Sequence, residues 1–178
     1  MNSEIEKRKI LAEKFLPSVK ETPEEIEGKY PKRNLAENAM VTRIAPSPTG
    51  FMHIGTLYTA LICERLAHQS NGVFFLRIED TDKKREVDGA IKIIVDSLIK
   101  YGIVPDEGEI ELGKEFGIYG PYKQSERENI YKVYVKKLLL SGDAYLAFET
   151  PEELAEINKK QIEEKVVPGY YGKWAIWR

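Results

Sequence analysis

The stretch RIAPSPTGFMHIGT, residues 43–56, decides the fold because it joins a strand pattern to a helical pattern. The overlapping segment MVTRIA, residues 40–45, alternates as a strand anchored by Val41 and Ile44. After the stretch, leucine and alanine residues recur at helical spacing until Asn71–Gly72 ends the pattern. The stretch is therefore predicted to be a loop that leads from a strand into a helix.

The alternation of strand and helix continues along the chain. VFFLRIED, residues 73–80, is apolar enough for a strand buried on both faces, and one apolar stripe predicts a helix over about 85–101. Strand, helix, strand and helix in this order predict the start of a parallel α/β sheet with right-handed crossovers. Because such sheets bind ligands beyond the carboxyl ends of their strands, the candidate site comprises the opening loop and EDTD, residues 79–82.

The flanking regions carry further signals of secondary structure. Capping boxes at Thr22 and Thr150, each followed by a proline and then a glutamate, predict helices that begin there. A third capping box is predicted at Ser125 and Glu128. The remaining expectations are a helix over 2–16, a loop over 104–122 and a short strand over 144–148.

The composition is that of an ordinary globular protein. The 178 residues suffice for one domain with a core, or for part of a larger one, and are 42% hydrophobic and 31% charged. A net charge of −2 gives no overall attraction to a polyanion. Cys63 is the only cysteine, which excludes an intrachain disulfide and a cysteine metal cluster. With a charged amino terminus and no long apolar run, these features predict a cytoplasmic protein.

The opening loop has the features of a phosphate site but lacks a known fingerprint. Free amides at a helix start attract phosphate, and Gly50 and Gly55 let the backbone approach a ligand closely. His53 can donate a hydrogen bond to phosphate oxygens in a transition state. Neither G-x-G-x-x-G nor a P-loop motif is present. A plain turn with a solvated histidine is the competing interpretation, and the loop alone leaves both open.

In RIEDTD, residues 77–82, an arginine and three carboxylates crowd the end of the second strand. Capping of the following helix by Asp80 or Thr81 would explain one or two of them. It does not explain Glu79, which would lie beside Arg43 if the two strands are neighbours. Such a pair could hold an amino acid, with Glu79 on the ammonium and Arg43 on a side-chain carboxylate.

Together, RIAPSPTGFMHIGT and LRIEDTD closely resemble motifs of the bacterial-type glutamyl-tRNA synthetases, which are class I enzymes. The resemblance continues through PDEG, GPYKQSER, AYLAFETPEEL and YYGKW. It implies a Rossmann-like parallel sheet, the first half of a class I synthetase catalytic domain, with the start of an α+β insertion. The implied divisions are an amino-terminal helical extension (1–39), the first half of the catalytic domain (40–122) and the start of the tRNA acceptor-binding insertion (123–178).

The resemblance also implies roles for individual residues. HIGT corresponds to the HIGH signature, so His53 would contact the ATP phosphates and Gly55 would pack against adenine. The implied catalytic residues are His53, Gly55 and Thr56. The implied glutamate-binding residues are Arg43, Ala45, Ser47 and Glu79. The implied ATP-binding residues are Ala45, Thr49, Gly50, His53 and Gly55. Asp82 and Arg85 are expected to face the end of the tRNA.

The implied activity is that of a glutamate–tRNA ligase, which activates glutamate with ATP and transfers it to the 3′ end of tRNA. Mg²⁺ would accompany ATP, and no zinc is expected, because Ala147 and Glu149 replace the cysteines that bind zinc in some relatives. The expected partners are glutamate, ATP and tRNA(Glu), with tRNA(Gln) left open; we expect no membrane contact and a monomeric enzyme. The KMSKS half of the fold is absent, so we expect an amino-terminal fragment of a longer enzyme, inactive alone.

Other families fit less well. The paralogue that glutamylates queuosine in tRNA shares both motifs but usually carries the zinc cysteines, and the glutaminyl enzymes usually read PPEPNG where this chain has APSPTG. Other nucleotidyltransferases match HIGT but not RIEDTD. A non-catalytic nucleotide- or RNA-binding module is the alternative of a different class. The intact set Arg43, Ser47, His53 and Glu79 argues against that alternative.

Overall fold

The computed structural model describes residues 2–111 and 114–175, which form helices on one side of a small sheet and at both ends of the chain. The helices are α1 (Asn2–Phe15), α2 (Pro23–Gly28), α3 (Ile54–Gln69), α4 (Ala90–Lys100), α5 (Glu128–Ser141) and α6 (Pro151–Glu163). The strands are β1 (Val41–Ile44), β2 (Val73–Leu76), β3 (Glu107–Glu111) and β4 (Lys114–Phe116). Short 3₁₀ turns cover Gln124–Arg127 and Gly172–Trp174.

The sheet has the order β1-β2-β3-β4. The first three strands run parallel, and β1 pairs with β2 in the register Val41 to Val73 through Ile44 to Leu76. The fourth strand is antiparallel to β3. The prediction of a parallel α/β sheet is thus confirmed, with an antiparallel hairpin added at one edge.

The core lies between one face of the sheet and helices α3 and α4. Phe74, Leu76 and Ile78 alternate along β2 and its extension, and each is almost fully buried. They pack in one apolar cluster with residues of the two helices, including Ala67 and Leu98. Burial of each large apolar side chain stabilises the fold by about 1.5–3 kcal/mol, so this layer holds α3 and α4 against the sheet.

Several sequence expectations about single elements are wrong. The expected loop over 104–122 contains the β3–β4 hairpin, whose sequence EGEIE lacks an alternating apolar pattern and pairs because β2 offers a free edge. Helix α4 begins at Ala90 instead of about 85, because Gly89 has a left-handed backbone, with φ of 77°, that ends the preceding turn. Residues 144–148 form no strand in the described part of the chain.

The capping predictions have mixed outcomes. The boxes at Thr22 and Thr150 are both present, with the threonine side chain accepting from the third helical amide. The box at Ser125 is not formed, because a 3₁₀ turn begins at Gln124 and the Ser125 hydroxyl donates to Asp80 instead. A distant buried carboxylate therefore replaces the local partner that the sequence suggests.

The described residues divide into two compact units. One comprises residues 21–132 and holds the whole sheet. The other comprises 2–20 and 133–175, in which Arg8 donates to the Ser141 carbonyl at 2.9 Å. The boundaries expected at 39/40 and 122/123 refer to function and do not coincide with this division.

Residues 21–39 belong to the unit of the sheet. The two terminal nitrogens of Arg33 donate to the two carboxylate oxygens of Glu107 at 2.5 and 2.7 Å. The guanidinium also lies 3.7 Å from the ring centroid of Tyr119. The Tyr30 hydroxyl donates to the Gly120 carbonyl at 2.8 Å. This segment is therefore fastened to the β3–β4 hairpin. Among the described residues, the helices are too short or too polar to cross a membrane.

Candidate active site

The opening loop is anchored to its neighbours by main-chain hydrogen bonds. The Pro46 carbonyl accepts from the Glu79 amide at 3.0 Å, and the Pro48 carbonyl accepts from the Val87 amide at 2.9 Å. Proline cannot donate, so each of these residues presents only its carbonyl to the segments that follow β2. Gly50 has a φ of 131°, which an L side chain rarely adopts, and this lets the loop turn toward α3.

The loop encloses one side of a cavity of about 510 Å³. Six of the residues to which the resemblance assigned roles line this cavity: Ala45, Ser47, Thr49, Gly50, His53 and Thr56. Its other lining residues are Pro46, Phe51, Met52 and Ile94. The structure therefore brings these six residues together at the carboxyl end of β1, whereas Arg43, Glu79 and Gly55 do not line this cavity.

His53 is the residue that precedes the first turn of α3. Its side chain makes no capping hydrogen bond, and it is exposed. Its carbonyl accepts from the Thr56 and Leu57 amides at 3.0 and 3.1 Å, so the main chain alone starts the helix. The imidazole is thus left available at a helix N-terminus, where the free amides and the helix dipole favour an anion.

Gly55 does not line the same cavity as His53. It lies in a neighbouring apolar groove of about 410 Å³ with Ile54, Leu57, Tyr58, Leu61, Tyr101 and Ile103. A Cβ atom added at Gly55 would meet nothing within 4 Å, so packing within the described residues does not require glycine there. The flat surface at Gly55 is consistent with contact to a planar ring, as the resemblance implies.

The prediction that Glu79 lies beside Arg43 is confirmed. One Glu79 carboxylate oxygen, Oε1, accepts from Arg43 Nη1 at 3.0 Å and from Arg77 Nη2 at 2.8 Å. The hydrogen bond from Arg77 is the largest cause that lowers the pKa of the Glu79 carboxyl below its ordinary value, burial opposes it, and Arg43 adds to the lowering. Glu79 is therefore ionised at neutral pH.

Asp80 was not assigned to the site, but it organises the neighbouring turn. Its carboxylate is buried and accepts from the Ser125 amide at 2.8 Å, the Ser125 hydroxyl at 2.5 Å and Lys83 at 2.9 Å. Burial by itself raises the pKa of this carboxyl, but the bonds from Ser125 and Lys83 outweigh it and lower the pKa to about 2. Asp80 thus caps the turn at Gln124–Arg127, and the prediction that it or Thr81 caps the next helix is wrong, since Gly89 precedes α4.

The two residues expected to face tRNA lie in the exposed segment between β2 and α4. Arg85 Nε donates to Asp82 Oδ2 at 2.6 Å, so the two bind each other. Neither residue lines the cavity that holds His53.

Comparison with known proteins gives one consistent result. Residues 39–174 match the family described as tRNA synthetases class I (E and Q), catalytic domain. A glutamate–tRNA ligase of Clostridium perfringens is 53% identical over 168 residues, which are 94% of this chain and 31% of that protein. One of Acetivibrio thermocellus is 56% identical over 149 residues, which are 84% of this chain and 27% of that protein.

A solved structure is similar as well. The crystal structure of a glutamate–tRNA ligase from Elizabethkingia meningosepticum in complex with its amino acid matches with a TM-score of 0.63 and 45% identity. The match covers 74% of this chain and 25% of that one. The resemblance inferred from the motifs and the Rossmann-like class I fold are thereby confirmed. The chain spans about 30% of the length of the curated relatives it matches.

Proposed function

Because this chain belongs to the catalytic-domain family of the class I tRNA synthetases for glutamate and glutamine, we propose that it supplies the nucleotide-binding half of a glutamate–tRNA ligase. The observation that carries the proposal is the Arg43–Glu79 pair, whose arginine lies in the strand that leads into the loop of the cavity lined by Ser47 and His53. The activity is proposed for a protein of the relatives' length that contains these residues, since the chain matches 31% of such a protein.

Glutamate recognition follows from the charges of the Arg43–Glu79 pair. Glutamate carries an ammonium group and a side-chain carboxylate, which match Glu79 and Arg43 respectively. When both ligand groups bind, the ligand carboxylate replaces Glu79 as the partner of Arg43, and the ligand ammonium replaces Arg43 as a partner of Glu79. No charge is then left unpaired. The small residues Ala45 and Ser47 in the cavity wall leave room for the α-carboxylate to reach the nucleotide.

The first chemical step joins the glutamate α-carboxylate to ATP. A carboxylate oxygen forms a bond to the α-phosphorus, the bond from that phosphorus to the bridging oxygen breaks, and pyrophosphate leaves. We propose that His53 and the first amides of α3 donate hydrogen bonds to the phosphate oxygens. Thr49 and Gly50 of the loop would make further contacts with ATP. Such donors act by stabilising charge that develops in the transition state. Mg²⁺ would enter as the counter-ion of ATP.

The second step transfers the glutamyl group from AMP to a ribose hydroxyl of the 3′-terminal adenosine of tRNA. We assign Gly55 and its apolar groove to the adenine of ATP, and Asp82 and Arg85 to the end of the tRNA. We further propose three divisions of the chain: an amino-terminal extension (1–39), the first half of the catalytic domain (40–122) and the start of the acceptor-binding insertion (123–178). A cytoplasmic monomer that charges tRNA(Glu), with tRNA(Gln) as a possible second substrate, completes the proposal.

The test is pyrophosphate exchange by the protein of the relatives' length, with cognate tRNA present. We expect exchange that depends on glutamate and not on glutamine or aspartate, because glutamine lacks the side-chain carboxylate and the side chain of aspartate is one methylene shorter. The matched control is Arg65→Gln, which removes an arginine whose ion pair with Glu64 lies on α3 away from the cavity. Arg43→Gln should lose glutamate-dependent exchange, and unchanged exchange in that variant would contradict the proposal.

A further inference from the structure

Arg77 contacts Glu79, yet the sequence assigns it no role in glutamate binding. Its Nη2 donates to Glu79 Oε1 at 2.8 Å, the same oxygen that accepts from Arg43 at 3.0 Å. The Arg77 side chain is 22% exposed, against 37% for Arg43. Arg77 therefore makes the shorter hydrogen bond to Glu79 and is the less exposed of the two arginines.

The main chain holds this ion pair in place. Arg77 and Glu79 stand two residues apart in an extended segment, so their side chains leave the same side of the chain. The Arg77 amide donates to the Ile44 carbonyl and the Glu79 amide to the Pro46 carbonyl, both at 3.0 Å. Between them, the Ile78 amide donates to the Tyr122 carbonyl at 2.9 Å. Both ends of the pair are thus fixed to neighbouring segments.

The proposed mode of glutamate binding removes one of the two partners of Glu79. The following inference rests on that proposed function. When the ligand carboxylate engages Arg43, Glu79 loses the hydrogen bond from Arg43 and turns to the ligand ammonium. If Arg77 were absent, Glu79 would have no cation beside it until the ammonium arrives. A partly buried carboxylate in that state is protonated more easily, and the neutral acid attracts an ammonium weakly.

We propose that Arg77 is a positioning residue for the substrate, because it keeps Glu79 ionised and oriented while Arg43 binds the ligand. Arg77 itself touches no substrate atom in this arrangement. The direction of the pKa agrees with the geometry, since the bond from Arg77 is the largest cause that lowers the pKa of Glu79. In this arrangement Arg43 binds the ligand carboxylate, and Arg77 stays paired with the carboxylate of Glu79.

The test compares Arg77→Gln and Arg77→Lys in pyrophosphate exchange with cognate tRNA. We expect Arg77→Gln to raise the KM for glutamate about tenfold or more, as for the loss of a charge-assisted hydrogen bond, with the KM for ATP changed less than about twofold. The loss of affinity should grow as the pH falls, because Glu79 protonates at a higher pH in the variant. Arg77→Lys keeps the charge and should recover part of the affinity.

Arg65→Gln is the matched control, because it also removes an arginine that pairs with a carboxylate, at 3.2 Å. It should leave the KM for glutamate unchanged. An unchanged KM for glutamate in Arg77→Gln, or an equal rise in the KM for ATP, would overturn the positioning role.

A carbon-detected NMR titration of Glu79 separates this inference from the proposed function. We expect the pKa of Glu79 to rise in Arg77→Gln whether or not the protein is active. An unchanged pKa overturns the role of Arg77. Absence of glutamate-dependent exchange in the unsubstituted protein contradicts the proposed function instead.

Discussion

At the scale of the residue, the site depends on side chains that the fold does not need. His53 starts α3 through its carbonyl and leaves its ring exposed, and Arg43 pairs with the carboxylate of Glu79 at 3.0 Å. Asp80 is the opposite case, because its buried carboxylate holds a turn together through Ser125. Substitution of a residue such as His53 should change activity without changing stability, whereas substitution of a residue such as Asp80 should change both.

The substitution His53→Ala tests the first of these expectations. We expect kcat for glutamate activation to fall about thirtyfold or more, a loss of about 2 kcal/mol or more of transition-state stabilisation, because a donor to the phosphate oxygens is removed. The melting temperature should stay unchanged, because the ring makes no capping bond. Rates of pyrophosphate exchange and thermal denaturation measure the two effects. A loss smaller than tenfold would exclude the phosphate role.

At the scale of the element, a histidine joins α3 to the chain that enters β3. His68 Nδ1 lies 2.9 Å from Glu64 Oε1, and its Nε2 lies 3.0 Å from Asp106 Oδ2. Each carboxylate needs a proton on the ring nitrogen that faces it, so both contacts are made only by the charged imidazolium. The same Asp106 oxygen accepts from the Phe74 amide at 2.8 Å, which ties the histidine to β2 as well.

These contacts make the stability of the sheet unit depend on pH. The hydrogen bond to Asp106 is the largest cause that raises the pKa of His68 above 6.5, burial opposes it, and Glu64 adds to the rise. A group with a raised pKa in the folded protein stabilises it fully below the unfolded pKa, and the stabilisation disappears as the pH rises through the folded pKa. The free energy of unfolding should therefore fall by less than about 1 kcal/mol above that pKa, since solvent screens this half-exposed site.

The measurement is urea unfolding between about pH 5.5 and 9, a range that brackets the ordinary histidine pKa. The comparison is with His68→Gln, which retains a hydrogen-bond donor but cannot titrate. Arg65, the other charged neighbour on α3, pairs with Glu64 at 3.2 Å. The same fall of stability in His68→Gln would assign the effect to another group.

At the scale of the whole molecule, residues far apart in the chain close the sheet unit. Arg33 and Glu107 are 74 residues apart, yet their bidentate pair fastens residues 21–39 to the β3–β4 hairpin. Their side chains are 18% and 12% exposed, so water competes little for the pair. The relatives that match over 94% of this chain share most of this segment's length. The segment therefore belongs structurally with the sheet, whatever its part in the reaction.

Arg33→Gln should lower the free energy of unfolding of this unit by about 2 kcal/mol, since it removes two charge-assisted hydrogen bonds and leaves Glu107 enclosed. A double-mutant cycle with Glu107→Gln isolates the pairwise contribution, which chemical denaturation measures. Lys132→Gln provides the contrast, because its ion pair with Glu128 is exposed and should contribute less than about 0.5 kcal/mol. Equal losses from the two substitutions would show that enclosure of the Arg33 pair has no effect.

The sequence by itself determined that β1 and β2 are parallel, that a helix follows each of them, that a loop lies at their carboxyl ends, and which family the chain belongs to. These follow from local periodicity, from proline and glycine positions and from two motifs at a fixed separation, all of which are contained in short segments. The tertiary structure alone decided the attachment of the amino-terminal segment, the β3–β4 hairpin, the Asp80 cap on Ser125 and the ion pair between Arg77 and Glu79. Each depends on an ion pair, a hydrogen bond or a strand edge whose partner comes from another part of the fold, and no local pattern specifies which partner arrives there.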